Sequence, residues 1–168
     1  DVTIRGVCNA NESTKATYTI FGSAEIDCTG NAEITSDTFV AVKTDLTVNG
    51  AQNVTISGNQ DSGATIGGAA DISCSGTVTL ENKGSGKAVR GELKYTPTHT
   101  QKYEIKTGAA AASAETFYTG ESGTGYTGAF NDPYISIAPA SSGGTTVDDT
   151  GTVDSGSDAG GAVAAVLV

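Results

Sequence analysis

At 168 residues the chain has room for one domain with a tail. Its 9 basic and 19 acidic residues leave a net charge of −10, which speaks against nonspecific binding to DNA or RNA. Aromatics are 6% of the chain, and Trp and Met are missing. That excludes a core built of large side chains, but not one built of small and β-branched residues stacked coil on coil.

Residues 1–23 read as an incomplete first coil. Asp1 to Cys8 alternates, Asn9 to Lys15 is a polar loop, and Glu12 stands where an apolar residue is due. The chain lacks an initial Met and a leader pattern, so its start reads as an internal or processed point.

Residues 24–92 are the regular body. Ile26, Val48 and Ile72 are 22 and 24 residues apart, and Ile34, Ile56 and Leu80 repeat those two steps. Val42, Ile66 and Val89 follow at 24 and 23. Apolar columns that advance together over some two dozen residues mark a solenoid. Within each coil, runs such as Asn53-Val54-Thr55-Ile56-Ser57 alternate as strands do. Gly- and Asn-containing corners such as Asn49-Gly50 and Gly58-Asn59 separate the runs.

The columns extend outward. Ile4 precedes Ile26 by 22 and Ile20 precedes Val42 by 22, while Tyr95 follows Ile72 by 23 and Ile105 follows Leu80 by 25. A polar column runs beside them: Asn9, Asn31 and Asn53 at steps of 22, then Thr77 after 24. Stacked amides bond along such a ladder. The expected fold is all-β: a right-handed parallel β-helix of 22–24 residues per coil, with three short strands per coil, about four to five coils and an irregular C-terminal cap. Its hand follows from the rule for parallel crossovers. The alternative is a sandwich of short strands, which has no need of constant register.

Residues 93–140 leave the repeat. An Ala-rich stretch and a Gly/Thr/Ser-rich stretch precede a last strand, Tyr134 to Ile137, before Pro139. Tyr103, Phe117, Tyr118, Tyr126, Phe130 and Tyr134 are expected to cover the C-terminal end. The domain is thus 1–140. Residues 141–168 form a Gly/Ser/Thr/Asp-rich linker or tail, with an apolar end too short to span a bilayer.

The three cysteines cannot all pair. Cys28, Gly50 and Cys74 share a column, which puts the two thiols two strand spacings apart, roughly 9–10 Å, beyond disulfide reach. The body's carboxylates never share a column in adjacent coils, so the paired carboxylates of a glycosidase have no obvious place. Asp37, Asn59 and Asp61 are candidates for a weak calcium site, an ion that takes six to eight oxygens; no other cofactor is expected. Lys83, Lys87, Arg90, Lys94, Lys102 and Lys106 fall within 24 residues. They predict a basic belt at one end, with Lys83, Lys87, Arg90 and Lys94 as binding candidates for an anionic glycan. The alternative is charge interleaving with Glu81, Glu92 and Glu104. His99 has no partner in sequence and suggests no catalytic role.

The phrases Leu46-Thr47-Val48-Asn49-Gly50 and Val54-Thr55-Ile56-Ser57-Gly58, and the closing segment Ala129 to Pro139, resemble those of the repetitive parallel β-helix surface proteins of Firmicutes. The resemblance covers residues 1–140 and is related to carbohydrate-binding β-helix domains of Clostridia. It implies an extracellular, surface-attached or secreted, non-catalytic domain that binds polysaccharide or another surface molecule. No ligand residue carries over, because the shared phrases are strands and turns. Two alternatives stand beside it: a stalk or filament subunit stacking through its coil ends, and a polysaccharide lyase or hydrolase. No nucleic-acid partner and no membrane insertion within this chain are expected.

Overall fold

The computed structural model describes residues 1–6 and 18–140, all strand and turn apart from a single 3₁₀ turn at Ala111–Ser113. The first rung is β1 (Val2–Gly6), β2 (Tyr18–Ile20) and β3 (Ala24–Asp27). The second is β4 (Asn31–Ser36), β5 (Val40–Val42) and β6 (Leu46–Ala51), and the third is β7 (Asn53–Gly58), β8 (Ala64–Ile66) and β9 (Ala70–Cys74). The fourth is β10 (Val78–Asn82), β11 (Lys87–Val89) and β12 (Glu92–Pro97). Each strand lies parallel on its counterpart in the next rung, forming sheet A (β1, β4, β7, β10), sheet B (β2, β5, β8, β11) and sheet C (β3, β6, β9, β12). The protein is a parallel β-solenoid that winds about three turns from first rung to last, fewer than the four to five coils expected.

Alternation buries one side of each strand. Ile34, Ile56 and Leu80 stack in register in sheet A, and Val48, Ile72 and Tyr95 in sheet C, all at 0% exposure. Burying one such aliphatic side chain contributes about 1.5–3 kcal/mol, repeated rung after rung. The corner between sheets A and B is tied by hydroxyls. Thr65 Oγ1 donates to the Glu81 carbonyl at 2.8 Å, and Thr19 makes the same bond to Thr35 at 3.3 Å. Thr65 is fully buried, so without that acceptor its hydroxyl would be an unsatisfied polar group.

The Asn column forms a ladder. Asn53 Nδ2 donates to Asn31 Oδ1 at 2.9 Å, and Asn53 Oδ1 accepts from the Thr77 backbone and hydroxyl at 2.8 Å. Asn9 lies outside the described residues. The rung-one place above Asn31 is taken by Asp1, whose Oδ1 accepts the Asn31 backbone N–H at 2.7 Å.

Three register expectations are corrected. Ile4 does not stack on Ile26 but pairs with Ile34, because β1 belongs to sheet A and the first coil is longer than the rest. Gly50 does not stand between the cysteines. It bulges at φ 72, a conformation glycine adopts without strain, and Ala51 pairs with Cys74. Cys28 and Cys74 are free thiols; Cys8 lies outside the described residues.

The third correction is at the C-terminal end. Ile105 does not sit on Leu80. The cap strands are β13 (Tyr103–Gly108), β14 (Glu115–Gly120), β15 (Tyr126–Ala129) and β16 (Tyr134–Pro139). β16 inserts antiparallel between β10 and β13, so Ile135 faces Leu80 and Ile137 faces Ile105. β14 pairs antiparallel outside β13, and β15 pairs antiparallel on β12. The cap is therefore a set of antiparallel strands, more regular than expected. Tyr103 and Phe130 are buried within it, Tyr118, Tyr126 and Tyr134 are half-buried, and Phe117 is exposed. The expected linker or tail, 141–168, lies outside the described residues. Among those residues no helix is long and apolar enough to cross a membrane.

Candidate functional site

Sheet B differs from its neighbours in charge. Among the described residues every acidic residue on a solenoid strand, such as Glu25, Glu33, Asp71 and Glu81, lies on sheet A or C, and β2, β5, β8 and β11 carry none. In a chain of net charge −10 this leaves sheet B as the face whose strands repel an anion least.

Two columns run up that face. Tyr18 pairs with Val40, and the buried Ala64 with Lys87. Beside them, Phe21, Lys43, Gly67 and Arg90 each follow the last residue of a sheet-B strand. Lys43, Gly67 and Arg90 donate their backbone N–H groups to Ile20, Val42 and Ile66 of the rung before, at 3.0, 2.9 and 3.0 Å. The first rung thus presents two aromatics, the second Val40 and Lys43, the third Ala64 and Gly67, and the fourth Lys87 and Arg90.

At the aromatic end Tyr18 and Phe21 meet edge to face, with ring centroids 5.6 Å apart. Lys43 Nζ sits 3.6 Å from the Phe21 centroid and 5.2 Å from that of Tyr18, a cation–π arrangement of about 0.5–1 kcal/mol at an exposed site. Phe21 is 77% exposed, the most open large apolar residue described. Between this end and Arg90 lies a hollow of about 300 Å³, lined by Tyr18, Val40, Lys43, Gln60, Ala64, Gly67 and Arg90 together with Ser62 and Gly63. Its floor is low because the Gly67 backbone runs close against the Lys43 carbonyl, where any Cβ would collide. One wall is held by buried Asn82, which accepts the Gln60 N–H at 2.8 Å and the Gly84 N–H at 3.0 Å and donates to the Lys87 carbonyl at 3.1 Å.

The four basic binding candidates separate. Lys87 and Arg90 share the fourth rung of sheet B. Lys83 lies in the turn after β10, and Lys94 lies on sheet C, where its Nζ is 2.8 Å from Asp71 Oδ2. Lys102 pairs with Glu121 at 3.0 Å and Lys106 with Glu104 at 3.6 Å. The belt is thus interleaved with carboxylates rather than continuous, as alternating outward positions on neighbouring strands bring opposite charges together.

Two of the three calcium candidates have side-chain partners of their own. Asp37 Oδ2 takes Arg5 Nη2 at 2.8 Å and Asn59 Nδ2 donates to the Asp37 carbonyl at 3.4 Å, while Asp61 accepts from Ser85 Oγ through its backbone carbonyl at 2.9 Å. Among the described residues no three Asp, Glu, His or Cys side chains gather as a metal set. One sheet-C column reads Glu25, Thr47, Asp71, Lys94, so its carboxylates alternate with other groups. His99 Nε2 lies 3.3 Å from the Tyr95 hydroxyl, inside the aromatic cap.

Sequence reasoning missed Tyr18, Phe21 and Lys43. The signal was present, since Phe21, Lys43, Gly67 and Arg90 advance by 22, 24 and 23, the step of the apolar columns. A residue just past a strand's last buried position faces outward and drops out of a search for apolar repeats. Comparison with protein-family models, curated proteins and solved structures finds no match.

Proposed function

We propose that this solenoid is a non-catalytic, extracellular binding domain and that it holds polysaccharide on the outer face of sheet B. The observation that carries the reading is the pairing of an exposed aromatic end, Tyr18 and Phe21, with a hollow bounded by Lys43 and Arg90. Sugar rings stack on aromatic faces, and their hydroxyls take hydrogen bonds from amide, hydroxyl and cationic groups, which Gln60, Ser62 and the two cations offer. A solenoid face suits a polymer because equivalent positions repeat along its axis. Along the sheet-C column Glu25, Thr47, Asp71, Lys94 no two carboxylates adjoin, which supports binding without cleavage, since most glycoside hydrolases use two carboxyl groups flanking one bond.

A glycan array probed with the full chain tests this reading. Binding to at least one polysaccharide class that falls about tenfold in Phe21→Ala, the loss expected for one stacking contact, supports it. No binding to any class, or binding indifferent to Phe21→Ala, contradicts it.

One observation favours a second reading. Among the described residues β1, β2 and β3 each end their sheets without a further strand, and free strand edges pair with other chains. End-to-end stacking would appear as filaments or a concentration-dependent rise in sedimentation rate. A constant monomer excludes it.

A further inference from the structure

We propose that the ligand of sheet B is an acidic polysaccharide lying along the solenoid axis, with acidic groups at Lys43 and at Arg90 and Lys87, and an uncharged unit over Ala64 and Gly67. The inference rests on the polysaccharide reading above and adds the charge pattern of the chain.

The geometry is set by the rungs. Lys43 belongs to the second rung and Arg90 to the fourth, so their backbones stand two strand spacings apart, roughly 10 Å. Lys43 Nζ rests over Phe21 and reaches an acidic group in its own rung by swinging off that ring. One small anion cannot reach both. Between them the floor is Ala64 and Gly67, and the adjoining wall offers the neutral Gln60 and Ser62. A carboxylate held there would lose water without gaining a cation, which is a net cost. A pyranose advances along an extended chain by about one strand spacing, so acidic, neutral, acidic along the sugar chain matches cation, small floor, cation along the solenoid.

The rest of the molecule reinforces this choice. The strand carboxylates on sheets A and C repel a polyanion there, while sheet B has none. Two acidic residues lie in turns beside the hollow: Asp45, whose Oδ1 accepts the Ala69 N–H at 2.8 Å, and Asp61, in the turn before β8. Asp61 Oδ1 is directed toward Gly84 of the next turn.

Three octasaccharides measured by calorimetry against the full chain decide the matter. The first is a hyaluronan fragment, with one carboxylate per two sugars. The second is its carboxyl-reduced, neutral form, and the third is an oligogalacturonate, charged at every sugar. The expected order puts the alternating chain roughly tenfold or more tighter than either of the others, the scale of one or two charge-assisted contacts. Lys43→Gln with Arg90→Gln should bring its affinity down to that of the neutral form, while Lys102→Gln, in the cap, leaves it unchanged. Equal binding of the neutral form overturns the acidic ligand and leaves the polysaccharide reading standing. Equal binding of oligogalacturonate overturns the spacing. If none of the three binds while the array shows a neutral glycan that does, the acidic ligand alone fails; if the array is blank as well, both readings fail.

Discussion

Tyr95 and Tyr103 show how single residues seal the end of the solenoid. Their rings meet edge to face at 5.0 Å, and both are fully buried. The Tyr103 hydroxyl donates to the Thr124 carbonyl at 3.0 Å. Burial, then the neighbouring Tyr118 and Tyr126, pushes the Tyr103 hydroxyl up to about 12. Burial, then Cys74, also raises that of Tyr95. A group whose pKa is raised by folding stabilises the native state fully below its unfolded value and loses that contribution as pH rises through the folded one. The melting temperature should therefore be insensitive to these two rings up to about pH 10, the ordinary tyrosine value. It should fall steadily between there and about 12, with late tyrosinate absorbance appearing together with unfolding. Early, complete ionisation of all six tyrosines in the folded protein would contradict the burial. Residues of this kind were partly legible in the sequence: Tyr95 stands in the Ile72 column, whereas the contact of Tyr103 with Tyr95 depends on a cap whose pairing no repeat encodes.

At the scale of elements, the sequence specified rungs better than directions. The parallel pairings of Ile26 with Val48, Ile34 with Ile56 and Val42 with Ile66 follow from constant spacing. β16 was visible as a strand, but period-two alternation reads the same forwards and backwards. Ile135 and Ile137 therefore fill the next places in the inward columns after Leu80 and Val78 while running antiparallel. The spacing of Ile105 imitated a further parallel rung for the same reason. Because β16 joins β10 to β13, it should carry the stability of the cap. Ile137→Pro removes a buried isoleucine, worth at least about 2 kcal/mol, and a ladder bond in a central strand. Amides of β13 and β14 should lose hydrogen-exchange protection while those of β4 and β7 keep theirs. Uniform loss across all rungs would show instead that cap and solenoid unfold as one unit.

For the molecule as a whole, distribution of charge matters more than its sum. A net charge of −10 suggests a surface averse to anions, yet among the described residues the acids on solenoid strands belong to sheets A and C, and sheet B sets aromatics against Lys43 and carries Lys87 and Arg90 beyond them. The basic residues were legible as a cluster in sequence. Their sorting was not, because 24 residues make a complete circuit of the solenoid and place neighbours in sequence on different faces. Only column position tells Arg90, which follows a sheet-B strand, from Lys94, paired with Asp71 on sheet C. Amide chemical-shift mapping of the labelled full chain, titrated with the hyaluronan octasaccharide, tests the central claim most directly. Shifts should concentrate at Tyr18, Phe21, Lys43, Ala64, Gly67, Lys87 and Arg90, with sheets A and C unmoved. Shifts centred on sheet C or on the cap, with sheet B silent, would contradict it.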